Sequence, residues 1–201
     1  MATASGSKAM RFVDITMTDM AAVILVGGKS SRMGRDKATL PYRGKRLVDL
    51  LVEVVREAGL DSIYVSGEME GYPSLPDLIA ERGPVGGICS SAVKLYKTHA
   101  SALFIPVDMP CLRAELLHHV ISAYQGNACY FEKHPLPCIL PLDRKNMRHI
   151  DAAAQMLARK QNVSVRAFLK SVEAEAIFVP EHLKPALTNT NTPEEWQEVI
   201  S

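Results

Sequence analysis

Ala21–Val26 is an unbroken apolar run. It leads straight into Gly27-Gly28-Lys29-Ser30-Ser31-Arg32-Met33-Gly34-Arg35-Asp36-Lys37. A short, β-branched apolar run reads as a central parallel strand covered on both faces. The loop behind it holds three glycines, four basic residues and two serines in eleven positions. Glycine lets the backbone approach a ligand closely and take φ > 0. Successive N–H groups then form an anion-binding nest, and Lys and Arg neutralise the remaining charge. A buried strand that opens into such a loop is suited to a phosphorylated ligand. The bland alternative is a basic surface loop with glycine turns.

The rest of the chain supplies a matching framework. The loop is expected to continue to about Gly44. Leu47, Leu50, Leu51, Val54 and Ala58 lie on one helical face, and Gly59 ends that helix. A second strand, Ile63–Ser66, follows, giving a βαβ unit with a right-handed crossover. Residues 67–83, rich in Gly, Pro and charge, read as a long loop, a feature that in compact domains is usually functional or mobile. It ends in the turn Gly83-Pro84-Val85-Gly86-Gly87, with a helix from about Ile88 to Tyr96. Ser101–Val107 is a third apolar run, ended by Asp108-Met109-Pro110. A helix over 113–124, strands at 128–132 and 138–142, helices near 147–159 and 165–170, and a late strand at 176–179 complete the alternation. Thr192 as N-cap, Pro193 at the first helical position and Glu195 three residues on form a capping box for a final helix. Alternating elements of this kind predict a single doubly wound, mostly parallel α/β sheet with helices on both faces. Residues 20–201 read as one domain, and residues 1–19 as a flexible leader.

Charge and cysteine usage narrow the function. The formal net charge is +1, so basic character is local rather than global. Neither nucleic acid nor an acidic membrane is an expected partner. Cys89, Cys111, Cys129 and Cys138 form no C-x-x-C pair, and no histidine lies at zinc-finger spacing. They read as reduced, mostly buried thiols of a cytoplasmic protein. No apolar run approaches the ~18 residues of a membrane span, and no signal-peptide pattern precedes Asp14.

Two common phosphate-binding motifs fail. Walker A needs a glycine five residues before Gly28, where Val23 stands, and no G-x-G-x-x-G occurs. Asp108 lies just past a buried strand, on the edge where open α/β sheets bind ligands; alone, it equally suits a turn or helix cap. Asn189 and Asn191 suit an Asx turn as well as a ligand contact. Mg²⁺ is commonly held by one or two protein oxygens plus phosphates, so one Asp and one Asn suffice. His134, beside Pro135 in a turn between strands, is a candidate to face a substrate.

Together these motifs resemble the molybdenum cofactor guanylyltransferases, within the Rossmann-like nucleotidyltransferases. The resemblance rests on Leu25–Lys37, Gly83-Pro84-Val85-Gly86-Gly87, Asp108-Met109-Pro110 and Asn189-Thr190-Asn191-Thr192-Pro193, in that order. Val26 stands where the family has Ala. The family chemistry implies attack by the terminal phosphate of molybdenum-molybdopterin on the α-phosphorus of GTP, yielding a guanine dinucleotide cofactor and pyrophosphate. By that resemblance, Leu25, Val26, Gly27 and Gly28 meet the nucleotide. Arg32 and Lys37 stabilise the phosphates, and Asp108 binds Mg²⁺ with Asn191. Asp77 contacts guanine or ribose, Gly83 lines that region, and His134 and Asn189 face the cofactor substrate. The implied partners are GTP, molybdenum-molybdopterin, and proteins that deliver the cofactor or receive it as molybdoenzymes. A cytidylyltransferase or another small-molecule nucleotidyltransferase of the same fold shares these motifs. A non-catalytic nucleotide-binding or docking domain is the alternative from a different class.

Overall fold

The computed structural model describes residues 19–26, 37–78, 82–190 and 192–200. The first apolar run forms β1 (Met20–Leu25), all six residues buried. After the glycine-rich loop, a 3₁₀ turn (Lys37–Thr39) leads into a hairpin of β2 (Pro41–Tyr42) and β3 (Lys45–Arg46). The sequence reading missed this hairpin by extending the loop to Gly44. Its turn is Arg43-Gly44, both at positive φ (50° and 78°), the conformation that joins two strands through a two-residue loop.

Next come α1 (Leu47–Glu57), β4 (Ile63–Ser66) and β5 (Ser74–Leu75). The buried stripe of α1 is Leu47, Val48, Leu51, Val52 and Val55, rotated from the expected face; Leu50 and Val54 are only partly buried. Gly59, at φ 83°, ends the helical segment as anticipated. The long loop over 67–83 is interrupted by β5, an edge strand that pairs with Val65 and Ser66.

α2 spans Gly83–Leu95, starting five residues before the expected Ile88. The apparent glycine turn is the first turn of this helix. Pro84 suits that position because its missing N–H has no helical partner there. Gly87 is a packing glycine: a Cβ there would lie 3.1 Å from both Leu25 Cδ2 and Ser66 Oγ. The helix therefore lies close against β1 and β4.

The chain continues through β6 (Ser101–Pro106), α3 (Ala114–Ala123), β7 (Cys129–Phe131) and β8 (His134–Pro141). It then forms α4 (Arg144–Ala158), α5 (Val165–Ser171) and β9 (Glu175–Ile177). A 3₁₀ segment (Glu181–Leu187), absent from the sequence reading, precedes α6 (Pro193–Ile200). The predicted capping box is present: Glu195 N–H donates to Thr192 Oγ1 at 3.2 Å, and Thr192 N–H to Glu195 Oε2 at 3.3 Å.

Seven strands make one sheet in the order β5-β4-β1-β6-β8-β7-β9. β8 alone runs antiparallel to its neighbours, because only Glu132 and Lys133 separate it from β7, and so short a link cannot make a parallel crossover. Alternation along the strands divides the core between the two faces. Ala22, Ile24, Leu103 and Ile105 meet α1, α3, the 3₁₀ segment and Trp196. Ala21, Val23, Leu25, Ala102 and Phe104 meet α2, α4 and α5. The mostly parallel, two-faced α/β sheet expected from the sequence is the observed fold.

Candidate active site at the carboxyl edge

β1, β4, β5 and β6 are parallel, so their carboxyl ends share one edge. β8 enters at that edge because it runs the other way. Strand order fixes the sequence of groups along it: Asp77 after β5, Gly67 after β4, Val26 after β1, Asp108 after β6 and His134 at the start of β8. The chain moves outward from β1 to β4 and β5, then returns to place β6 on the other side of β1. That reversal opens the crevice where doubly wound sheets bind ligands. The Val107 N–H donates to the Leu25 carbonyl at 3.2 Å, joining the two sides of the switch point. Leu25 is buried and Val26 partly buried at the start of the loop. Gly27, Gly28, Arg32 and Asn191 lie outside the described residues, as does the Lys37 side chain; the Lys37 backbone opens the 3₁₀ turn beyond the loop.

Asp108 is half-buried, with Oδ1 shielded from solvent. Its carbonyl accepts the Thr190 N–H at 2.9 Å, with Thr190 Oγ1 at 3.4 Å. Thr190 is 1% exposed. This contact ties the late Asn-rich loop to the end of β6 across 82 positions of sequence. Asn189, one residue earlier, is exposed. Tyr42 and Trp196 anchor the region beyond, with ring centroids 5.7 Å apart, joining the β2–β3 hairpin to α6. Sequence reasoning gave no role to Thr190; its only signal is its place between two asparagines.

Asp77 lies just beyond β5, half-buried, and its Oδ1 has no hydrogen-bond partner among the described residues. Burial pushes its carboxyl above the usual range, while the Lys94 charge pulls it partly back. The β4–β5 connection is pinned from α1: Tyr72 O–H donates to Asp49 Oδ1 at 2.6 Å, and Arg46 donates to both Asp49 oxygens at 2.8 and 2.9 Å. The Arg46 guanidinium, with the Tyr72 hydroxyl, holds the Asp49 carboxyl below its ordinary value. This network had no legible motif.

Gly83 takes φ 64° at the start of α2 and lines a cleft of about 400 Å³ with Arg82, Lys160, Asn162 and Ser164. His134 is half-buried; desolvation and the nearby Arg166 and Lys133 charges lower its pKa, favouring neutral imidazole. Cys89, Cys129 and Cys138 are buried, and Cys111 is half-buried; all four are free. Burial pushes the Cys89 and Cys129 thiols up to about 12, and the Cys138 thiol up as well. These three are therefore poor nucleophiles.

Among the described residues, no group of three or more His, Cys, Asp or Glu side chains is arranged to hold a metal. Among the same residues, no helix is long and apolar enough to cross a membrane.

Residues 22–178 match the model of the MobA-like NTP transferase domain. A molybdenum cofactor guanylyltransferase of Xanthomonas euvesicatoria pv. vesicatoria is 33% identical over 178 residues, covering 89% of this chain and 93% of that protein. A probable molybdenum cofactor guanylyltransferase of Opitutus terrae is 28% identical over 194 residues, covering 88% and 92%. The crystal structure of molybdopterin-guanine dinucleotide biosynthesis protein A from Archaeoglobus fulgidus superposes with a TM-score of 0.71 at 18% identity, covering 90% of this chain and 97% of that one. With Val26 and Asp108 following adjacent parallel strands at the switch point, the chain belongs to the MobA-like NTP transferase family and is a nucleotidyltransferase.

Proposed function

We propose that the protein transfers GMP from GTP to the terminal phosphate of molybdenum-molybdopterin, releasing pyrophosphate. The observation that carries this reading is the order of groups along the carboxyl edge. Strands stand about 4.8 Å apart. Asp77 therefore lies roughly 10 Å to one side of the β1 loop, near the reach from a phosphate to a base. Asp108 lies one strand to the other side, and His134 beyond it. Base, phosphates and acceptor thus fall in sequence across one crevice.

In the reaction, an acceptor phosphate oxygen forms a bond to the α-phosphorus of GTP. The bond from that phosphorus to the α–β bridging oxygen breaks, and its electron pair leaves with pyrophosphate. The attacking oxygen is already anionic, so positioning and charge neutralisation dominate over proton transfer. Leu25, Val26, Gly27 and Gly28 present backbone to the nucleotide. Arg32 and Lys37 balance charge on the triphosphate and on the leaving group. Asp77 receives guanine donors, and Gly83 borders that region. His134 and Asn189 face the acceptor.

Asp108 and Asn191 are the residues to hold Mg²⁺, which when bound neutralises phosphate charge and aligns its oxygens. Their hard-oxygen chemistry fits that ion, and the Thr190 contact supports bringing the Asn191 loop to Asp108. The names of the relatives, molybdenum cofactor guanylyltransferase and probable molybdenum cofactor guanylyltransferase, support this reading.

The test supplies purified protein with Mg²⁺·GTP and molybdenum-molybdopterin. Guanine dinucleotide cofactor and pyrophosphate should form in equal amounts. Turnover with CTP but not GTP would overturn the base assignment, and no pyrophosphate under any condition would overturn the transfer.

A further inference from the structure

Asp77 sits between two residues whose main chain is held from α2. The Ser90 hydroxyl oxygen accepts the Leu78 N–H at 2.9 Å, and Lys94 Nζ donates to the Pro76 carbonyl at 2.6 Å. Ser90 and Lys94 are four residues apart on the helix, so they share one face. Ser90 is buried, at 2% exposure. The chain is therefore fixed immediately before and immediately after Asp77. Between these anchors, Asp77 Oδ1 is shielded from solvent with no hydrogen-bond partner among the described residues. An ionised carboxylate is an acceptor only, and leaving one buried and unpaired is costly. Guanine presents two adjacent donors, N1–H and the exocyclic N2–H, which a carboxylate can accept together. Adenine, cytosine and uracil offer no such adjacent pair.

We infer that Ser90 and Lys94 are positioning residues for guanine selectivity: they clamp the backbone on both sides of Asp77 and aim its carboxylate at the N1–H and N2–H edge of GTP. The inference rests on the proposed reading of Asp77 as the guanine contact. Neither side chain touches the nucleotide. Their effect is to keep the acceptor in place before the base arrives, so no ordering is required on binding.

The experiment compares equilibrium binding of Mg²⁺·GTP with Mg²⁺·ITP, which retains N1–H but lacks the exocyclic amine. Losing a hydrogen bond to a charged acceptor should make the wild type prefer GTP by roughly 10- to 100-fold. Ser90→Ala and Lys94→Met should each narrow that ratio by about 3- to 10-fold, mainly by weakening GTP. Lys94→Arg, which keeps a cationic donor, should restore it. In an Asp77→Asn background, Ser90→Ala should change the ratio no further. Lys94 is exposed, so its substitution leaves the core in place, but Lys94→Met also removes a charge that favours ionised Asp77, which makes Ser90→Ala the variant that reads the clamp alone. If Asp77→Asn collapses the ratio while Ser90→Ala and Lys94→Met leave it unchanged, the positioning role is wrong and the Asp77 reading stands. If Asp77→Asn itself leaves the ratio unchanged, the Asp77 reading fails, and the clamp fails with it.

Discussion

Two aspartates on the same edge carry different consequences. Asp108 is fixed by its strand and by Thr190 on its carbonyl, so its carboxylate can change without loosening that anchor. Asp108→Ala should lower turnover by roughly 10²–10³-fold, the scale for losing one strong electrostatic contact in a site. Far-ultraviolet circular dichroism should stay at the wild-type signal. Wild-type turnover by the purified variant would remove Asp108 from the metal site. Asp77 differs because burial raises its carboxyl pKa. A carboxyl raised in the folded state is stabilised in its protonated form. Its ionisation therefore destabilises the fold at pH above that pKa, and the penalty is relieved as pH falls through it. Asp77→Asn removes the charge while keeping the shape. Without nucleotide, the variant should melt at or above wild type at pH 8, and the difference should close on acidification. GTP should bind it more weakly. A lower melting temperature at pH 8 would mean that the ionised carboxylate stabilises the free fold after all.

At the scale of elements, α2 approaches β1 and β4 closely at Gly87. Alanine at Gly87 gains helix propensity but brings its Cβ to 3.1 Å from Leu25 and Ser66. Valine adds two methyl groups to that crowding. Gly87→Val should cost about 1–3 kcal/mol by the usual scale of overpacking, read as a lower urea midpoint at unchanged slope. It should also weaken GTP binding, because the displaced helix presses on Leu25 at the start of the loop. Unchanged stability would show that the helix can move away freely. The start of α2 was misread from its composition. Gly83, Pro84, Gly86 and Gly87 have the composition of a turn, yet they open α2, with Gly87 packed against Leu25 and Ser66. β4 was legible to the residue because Ile63–Ser66 is apolar at its core and bounded by turn residues. β5 was not: Ser74 and Leu75 are a strand only through their register with Val65 and Ser66. The β2–β3 hairpin was hidden for the same reason, since two-residue strands show no period, although Arg43-Gly44 carried the turn signal.

Across the whole molecule, the sequence reading located Asp77, Asp108 and His134 separately, but their order along one edge follows from strand order, which no local pattern encodes. The strand β1 was legible as an unbroken apolar run, while the glycine-rich stretch that follows it lies outside the described residues. The link between Asp108 and Thr190 joins distant chain segments and needed the fold. That link makes the edge itself a product of the assembled fold, so a ligand held there should stabilise the whole domain. A ligand present at about 100 times its Kd adds about 2.7 kcal/mol to stability, or roughly 5–10 °C in melting temperature for a domain of this size. Mg²⁺·GTP should therefore stabilise the wild type by that amount, more than GTP with chelator. CTP, ATP and UTP should give smaller shifts at equal concentration. In Asp108→Ala the increment from Mg²⁺ should vanish, while the shift from GTP with chelator persists through the loop and Asp77. A full Mg²⁺ increment in Asp108→Ala would place the cation on other ligands. A larger shift with CTP than with GTP would mean that the edge selects a different base.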